Sequence, residues 1–241
     1  MFLQDVKIIL SRASEGGNVG AVCRAMKNMG LSQLRMVSPQ SIDTEQLLAR
    51  AVNSADIWEN AVFFDNLAEA VADCSIVVGT TRRRGHNRKN ISMTPRDLAV
   101  WLASQSRSAA IVFGNERTGL DDEELELCNF ASHIPVSDAQ PSLNLSHAVQ
   151  IYTYELFLAM EQQHPVKGEW NAMNQAEISE LVNSITKDLS DIGFYKIAGR
   201  EEQFNFFRDL ISRAGLSNSE GKYFKEIITK AGRLAGKADN T

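Results

Sequence analysis

Ile111-Val112-Phe113-Gly114-Asn115-Glu116-Arg117-Thr118-Gly119-Leu120 reads as a buried strand that breaks at Gly114 into a polar turn. Asp121-Asp122-Glu123-Glu124 follows, and such a run of acids suits the positive end of a new helix. A strand, a glycine-bearing turn and a helix form the joint from which α/β domains are assembled. The same joint recurs on both sides of this stretch. Upstream, Val6–Leu10 runs into Ser14-Glu15-Gly16-Gly17 and then Asn18-Val19-Gly20-Ala21-Val22-Cys23-Arg24, with Asn18 expected to cap a helix. The glycines there allow a backbone to approach a ligand closely. In that helix Ala21, Val22, Ala25, Met26 and Met29 make one apolar stripe, and Gly30 stands where a C-terminal cap belongs. Downstream, Ser132–Val136 gives way to Ser137-Asp138-Ala139-Gln140-Pro141. A long helix then opens on Ser142-Leu143-Asn144-Leu145-Ser146-His147-Ala148-Val149, with Ser142 as the expected N-cap.

Further strands are expected at Leu34–Ser38, Val62–Asp65 and Ser75–Gly79, and the strand that breaks at Gly114 is expected to run Ala109–Phe113. All six runs are mainly apolar rather than strictly alternating, as in a parallel sheet covered on both faces. The expected class is therefore α/β, a mostly parallel sheet with helices on both faces, over residues 1–162. Gln162-Gln163-His164-Pro165-Val166-Lys167-Gly168 breaks the periodicity, and 163–173 reads as a linker. Beyond it the strand pattern stops. Asn174-Gln175-Ala176-Glu177 resembles a capping box, and Ile178, Leu181, Ile185 and Leu189 recur at helical spacing. Phe204, Phe207, Leu210 and Ile211 mark a second helix; Phe224, Ile227, Ile228 and Leu234 mark a third. Residues 174–241 are thus expected to be a small helical module whose core is marginal alone. It would dock on the first domain, a partner subunit or RNA.

With 44% hydrophobic and 23% charged residues among 241, the chain is too apolar to be disordered. No apolar run reaches membrane-spanning length and Met1-Phe2-Leu3-Gln4-Asp5 lacks a signal-peptide pattern, so the expected compartment is the cytoplasm. Cys23, Cys74 and Cys128 are odd in number and without CxxC spacing; they are expected to be reduced packing residues, and no metal site is expected. A net charge of −5 argues against a protein that coats nucleic acid indiscriminately, but it leaves room for a local basic patch. Arg82-Arg83-Arg84-Gly85-His86-Asn87-Arg88-Lys89 is such a patch unless it is only a solvated loop, and Lys222, Lys225, Lys230, Arg233 and Lys237 form a weaker one.

Each motif has a plain structural reading. Asn18 caps a helix, Arg24 faces solvent, and Asn144 and Ser146 lie where a helix start gathers free backbone donors. The spacing is neither GxGxxG nor a phosphate-binding P-loop, so an ordinary dinucleotide enzyme is a weak reading. As an ordered set, however, the three stretches resemble the motifs of the SPOUT superfamily (SpoU/TrmH class) of RNA ribose 2′-O-methyltransferases. The resemblance covers about residues 3–160 and comes nearest the TrmJ-type tRNA (cytidine/uridine-2′-O-)-methyltransferases. It implies a deep trefoil knot at the C-terminal side of the sheet, which periodicity could not reveal because knots are nearly absent from proteins.

The resemblance implies S-adenosylmethionine as cofactor. The pocket would be formed by Thr80, Thr81, Arg82, Gly114, Glu116, Ile134, Pro141, Ser142, Leu143 and Asn144. Relatives often carry a small residue at the place of Pro141, and proline removes one N–H donor. For catalysis the resemblance implies Arg24 and Asn18, with Ser142 and Asn144 assisting. A guanidinium, with a pKa above about 12, hardly deprotonates, so Arg24 is expected to grip a phosphate and steady the developing alkoxide while Asn18 orients Arg24 and the ribose. Arg82, Arg83, Arg84, Arg88, Lys89, Lys222 and Lys225 are expected to contact RNA. The partners implied are tRNA, read at a pyrimidine at position 32 of the anticodon loop, and a second copy of the chain in a homodimer. An rRNA enzyme, which would more often carry an additional N-terminal domain, and a catalytically silent RNA-binding relative are the alternatives.

Overall fold

The structure is a computed structural model that describes residues 3–81, 92–161, 172–195 and 199–238. The chain divides into two units, Met1–Gly168 and Glu169–Thr241.

The first unit opens with β1 (Val6–Ser11), α1 (Gly16–Asn28), β2 (Gln33–Val37), α2 (Thr44–Ala51) and α3 (Ala55–Glu59). It continues with β3 (Val62–Phe64), α4 (Leu67–Val71), β4 (Ile76–Thr80), β5 (Ser92–Met93) and α5 (Pro95–Ala103). It ends with β6 (Ala109–Phe113), α6 (Asp122–Leu127), β7 (Phe130–Ser132) and α7 (Leu145–Glu161). The seven strands form one sheet in the order β3-β2-β1-β6-β4-β7-β5, and every pairing is parallel.

Alternation along the strands builds two cores. Ile8 and Leu10 of β1, Ile76 and Val78 of β4, and Ile111 and Phe113 of β6 pack with α1, α5 and α7. Their neighbours Ile9, Val77, Ala110 and Val112 pack on the opposite face with α4 and α6. Both faces are buried, hence the mainly apolar runs. Each buried aliphatic side chain contributes about 1.5–3 kcal/mol relative to exposure.

Five of the six expected strands lie within one residue of their observed ends. The sixth does not. Ser132–Val136 is replaced by Phe130–Ser132, because Asn129 already joins β4: its N–H donates to Val77 O and its Oδ1 accepts from Val77 N, both at 2.9 Å. After Ser132 the chain leaves the sheet, and β5, only two residues long, closes that edge.

Helix starts also differ from the sequence reading. The first motif helix begins at Gly16 with Glu15 at the N-cap and no side-chain cap, so Asn18 lies inside the first turn. The glycines serve packing: a Cβ on Gly16 would stand 2.1 Å from Asp43 O, and one on Gly20 would stand 2.1 Å from Leu47 O. They let α1 press directly on the α2 backbone. Helix α7 starts at Leu145, and its cap is Asn144, whose Oδ1 accepts from Ser146 N at 2.9 Å; Ser142 lies before the helix. Gly30 does follow α1 in the left-handed conformation, with φ +73°.

The second unit contains α8 (Gln175–Asp191), α9 (Arg200–Ala214) and α10 (Asn218–Ala238). Asn174 and Glu177 form the reciprocal capping box of α8. Met173, Ile178, Leu181, Val182, Ile185 and Ile211 are its buried core, with Phe204, Phe207, Phe224 and Ile228 packed around it. Leu210, Ile227 and Leu234 are exposed.

Candidate active site

In open parallel sheets ligands bind beyond the carboxyl ends of the strands, where crossovers diverge. Here β2 flanks β1 on one side and β6 on the other. The loops following β1, β6 and β7 carry the three motifs, and Thr80 and Thr81 stand at the end of β4.

A cavity of about 580 Å³ opens at these strand ends. Thr80 and Thr81, Gly114 and Glu116, Ile134, and Pro141, Ser142 and Leu143 all line it. Eight of the ten expected cofactor positions therefore converge. Asn144 is absent from this lining, and Arg82 lies outside the described residues together with Arg83, Arg84, Arg88 and Lys89.

The turn after β6 is held tightly. A Cβ on Gly114 would meet the Gly119 carbonyl carbon at 2.1 Å, so only glycine fits. Gly119 N–H donates to Asn115 O at 2.8 Å and closes the turn. Arg12, at the end of β1, braces both ends. Its carbonyl accepts from Asn115 Nδ2 at 2.7 Å, and its Nη2 donates to Gly119 O at 3.1 Å. The same guanidinium pairs with Glu124 Oε2 at 2.6 Å, and Glu124 also accepts from Asp121 N at 2.8 Å and from the Ser11 hydroxyl. Arg12 holds a positive φ of 55°, unusual for a residue with a Cβ. Glu124 thus does more than complement a helix N-terminus, the role that its neighbours in sequence suggest.

On the far wall Tyr152 packs edge-on against Phe113, with ring centroids 5.4 Å apart. Its hydroxyl donates to Ser132 Oγ at 2.8 Å, and that hydroxyl donates to Met93 O at 2.8 Å. Burial raises the phenol pKa above its usual value, so Tyr152 is a fixed donor.

A second cavity, of about 850 Å³, lies between the starts of α1 and α7 and one face of α2. Asn18 and Asn144 line it. Glu116, a wall of the first cavity, joins the two: it accepts from Ser14 N and Glu15 N at 3.3 Å, from Ser14 Oγ at 3.2 Å, and from Asn18 Nδ2 at 3.5 Å. Asn144 Nδ2 donates to Asn18 Oδ1 at 2.8 Å. All three motifs thus meet in one hydrogen-bonded junction. Arg24 is separate. It is exposed on α1, lines neither cavity, and has no ion-pair partner among the described residues.

Residues 5–154, which carry every one of these loops, match the SpoU rRNA Methylase family. The chain belongs to the SpoU methylase family. Its similarity extends to an uncharacterized tRNA/rRNA methyltransferase of Haemophilus influenzae, 43% identical over 68% of each chain. It is 34% identical to the tRNA (cytidine/uridine/adenosine-2′-O-)-methyltransferase TrmJ of Pseudomonas aeruginosa, over 97% of this chain and 96% of that one. The crystal structure of TrmJ from Z. mobilis superposes with a TM-score of 0.74 at 28% identity, covering 93% of this chain and 98% of that one. The match to SpoU methylases explains why the three motifs keep their order and wording although side chains in each also serve local packing.

Among the described residues no group of three His, Cys, Asp or Glu side chains is arranged to hold a metal, and no helix is long and apolar enough to cross a membrane. Lys222 and Lys225 are exposed on α10.

Proposed function

We propose that this chain is an S-adenosylmethionine-dependent methyltransferase that modifies the ribose 2′-hydroxyl of a pyrimidine in tRNA, at position 32 of the anticodon loop. The single observation that carries the reading is the junction of Glu116, Asn18 and Asn144 between two cavities. Likeness to TrmJ enzymes over nearly the whole chain supports tRNA as the substrate.

The first cavity fits the cofactor. Its volume lies in the range of small-molecule sites, and it offers an apolar slot from Phe113, Ile134, Val136 and Leu143 beside hydroxyls and turn backbone. Bound there, S-adenosylmethionine would supply an electrophilic methyl on a sulfonium. The protein must then hold a ribose in line with it, and positioning accounts for much of the rate in such transfers. Asn18, fixed by Asn144 and Glu116, orients the ribose. Ser142, on the wall of the cofactor cavity, assists. Arg24 steadies the phosphate and the developing alkoxide electrostatically.

Arg24 lies outside both cavities of its own chain, which supports a homodimer in which both protomers help bind one tRNA. Strand order supports the trefoil knot, since β6 lies between β1 and β4, and β7 between β4 and β5. The α8–α10 unit is a C-terminal extension that docks tRNA through Lys222 and Lys225. The Arg82–Lys89 run, which follows Thr81 in sequence, contacts RNA. The enzyme works in the cytoplasm, with its substrate.

The test is transfer of radiolabelled methyl from S-adenosylmethionine to unmodified bulk tRNA and to rRNA, with wild type and Arg24→Ala in parallel. Label in tRNA that is lost with Arg24→Ala is expected. Label in rRNA alone overturns the substrate, and tRNA binding with no transfer overturns the activity.

A further inference from the structure

We propose that the second cavity receives the target nucleoside and that Gln46 and Arg50 of α2 read its base. The inference rests on the methyltransferase reading above and names the substrate-recognition residues of that site.

The side chains around this cavity fall into two groups. Ser14, Glu15, Asn18, Asn144 and Ser146 are engaged with one another or with Glu116, and Asp43 caps α2 by accepting from Gln46 N at 3.1 Å. Ser41, Gln46, Arg50 and His147 also line it, and among the described residues their side chains have no hydrogen-bond or ion-pair partner. Gln46 and Arg50 are four residues apart and so share one face of α2. A Cβ on Gly17 would meet Arg50 Cγ at 3.9 Å, so the Arg50 stem lies against the start of α1, the helix that carries Asn18.

The chemistry favours a neutral, hydrogen-bonding ligand. The carboxylates of Glu15 and Asp43 share the wall with Arg50, so the cavity lacks the positive excess that a phosphate requires. Its lining has no Phe, Tyr or Trp, which leaves the His147 ring as its one aromatic group, so hydrogen bonds to the edge of a base carry most of the recognition here. Its volume of about 850 Å³ accommodates a nucleoside. A ribose at Asn18 and Asn144 lies next to the cofactor cavity, and its base then extends along α2.

Cytosine and uracil share the O2 acceptor and differ at N3, an acceptor in one and an N–H donor in the other, and at position 4, an amine in one and a carbonyl in the other. Arg50, a donor only, suits O2. The Gln46 amide carries both a donor and an acceptor, and by rotating it serves either base. This pairing accepts both pyrimidines.

Two tRNA transcripts that differ only in C or U at the methylated nucleotide test the inference with the full-length protein. Gln46→Glu keeps an acceptor and removes the donor, so kcat/KM for the C transcript should exceed that for the U transcript by roughly tenfold more than in wild type. Arg50→Ala should raise the KM for both transcripts together. Gln46→Leu, which lacks donor and acceptor, should slow both. Gln46 and Arg50 are exposed, and an unchanged S-adenosylmethionine affinity by calorimetry verifies that each variant is folded. Variants whose C-to-U ratio and tRNA KM stay within about twofold of wild type overturn the assignment. Wild type that methylates neither transcript overturns the methyltransferase reading beneath it.

Discussion

The side-chain amide of Asn144 donates to Asn18 Oδ1 at 2.8 Å, across 126 positions of sequence. The same Asn144 caps α7 through Oδ1, which accepts from Ser146 N and Ser146 Oγ. One side chain therefore starts a helix with its oxygen and orients a catalytic candidate with its nitrogen.

Two substitutions separate these roles. Serine caps helices about as well as asparagine but has no amide to reach Asn18. Asn144→Ala should lose about 1 kcal/mol of stability, whereas Asn144→Ser should lose little. Both should lower methyl transfer on the order of 10²-fold, because the ribose is no longer aligned. Asn144→Ser at the full wild-type rate would show that the bridge to Asn18 is irrelevant to turnover.

The glycines of the first motif should respond unequally. A Cβ at Gly16 or Gly20 meets α2 backbone at 2.1 Å, whereas one at Gly17 has only the flexible Arg50 stem at 3.9 Å. Gly16→Ala and Gly20→Ala should each cost about 2–3 kcal/mol through overpacking. Gly17→Ala should be neutral or stabilising by about 0.5 kcal/mol, since alanine is the better helix former. Urea unfolding of the three variants measures this ordering, and equal midpoints would refute it.

Sequence made the parallel sheet legible for a physical reason: strands buried on both faces are mainly apolar, as β6 is throughout and as β1 and β4 are apart from Lys7, Ser11 and Thr80. Gly114 was likewise readable, because a strand that ends at a tight turn admits little else. Helix starts were not. Asn18 is a residue type that favours caps, yet Gly16 and Gly17 before it already belong to the helix, and Gly16 is there for the close approach of α2. Strand β5 has two residues and thus no period to detect. The bracing of the Gly114 turn by Arg12 depends on pairs more than a hundred positions apart, and an arginine at a strand end announces nothing in a single sequence.

Arg12→Ala should be costly in two ways. Glu124, mostly buried, would lose its cationic partner, for about 2–3 kcal/mol. The Gly114–Gly119 turn would also lose its brace, weakening S-adenosylmethionine binding by about tenfold. Calorimetric titration well below the melting temperature separates the two effects; wild-type affinity in a destabilised variant would restrict Arg12 to a structural role.

The hydrogen bonds from Arg35 hold the Asp73 carboxyl down at about 2, with Lys7 adding a smaller pull. An acid whose folded pKa is depressed stabilises the fold above its unfolded pKa of about 3.9, and that contribution is lost as the pH falls through about 2. Asp73 is half exposed, so screening limits the contribution to about 1 kcal/mol. Asp73→Asn should therefore be less stable than wild type at pH 7, with the difference closing between about pH 4 and pH 2. A constant difference across that range would contradict the ion-pair origin.

The most direct test of the central claim is nucleoside mass spectrometry of an unmodified tRNA transcript incubated with the protein and S-adenosylmethionine. A parallel transcript carries a 2′-deoxynucleotide at the modified position. The expected result is a 2′-O-methylated pyrimidine in the first transcript and none in the second. A methyl group on a base, or one that still appears on the 2′-deoxy transcript, would contradict a site built to present a ribose hydroxyl at Asn18 and Asn144.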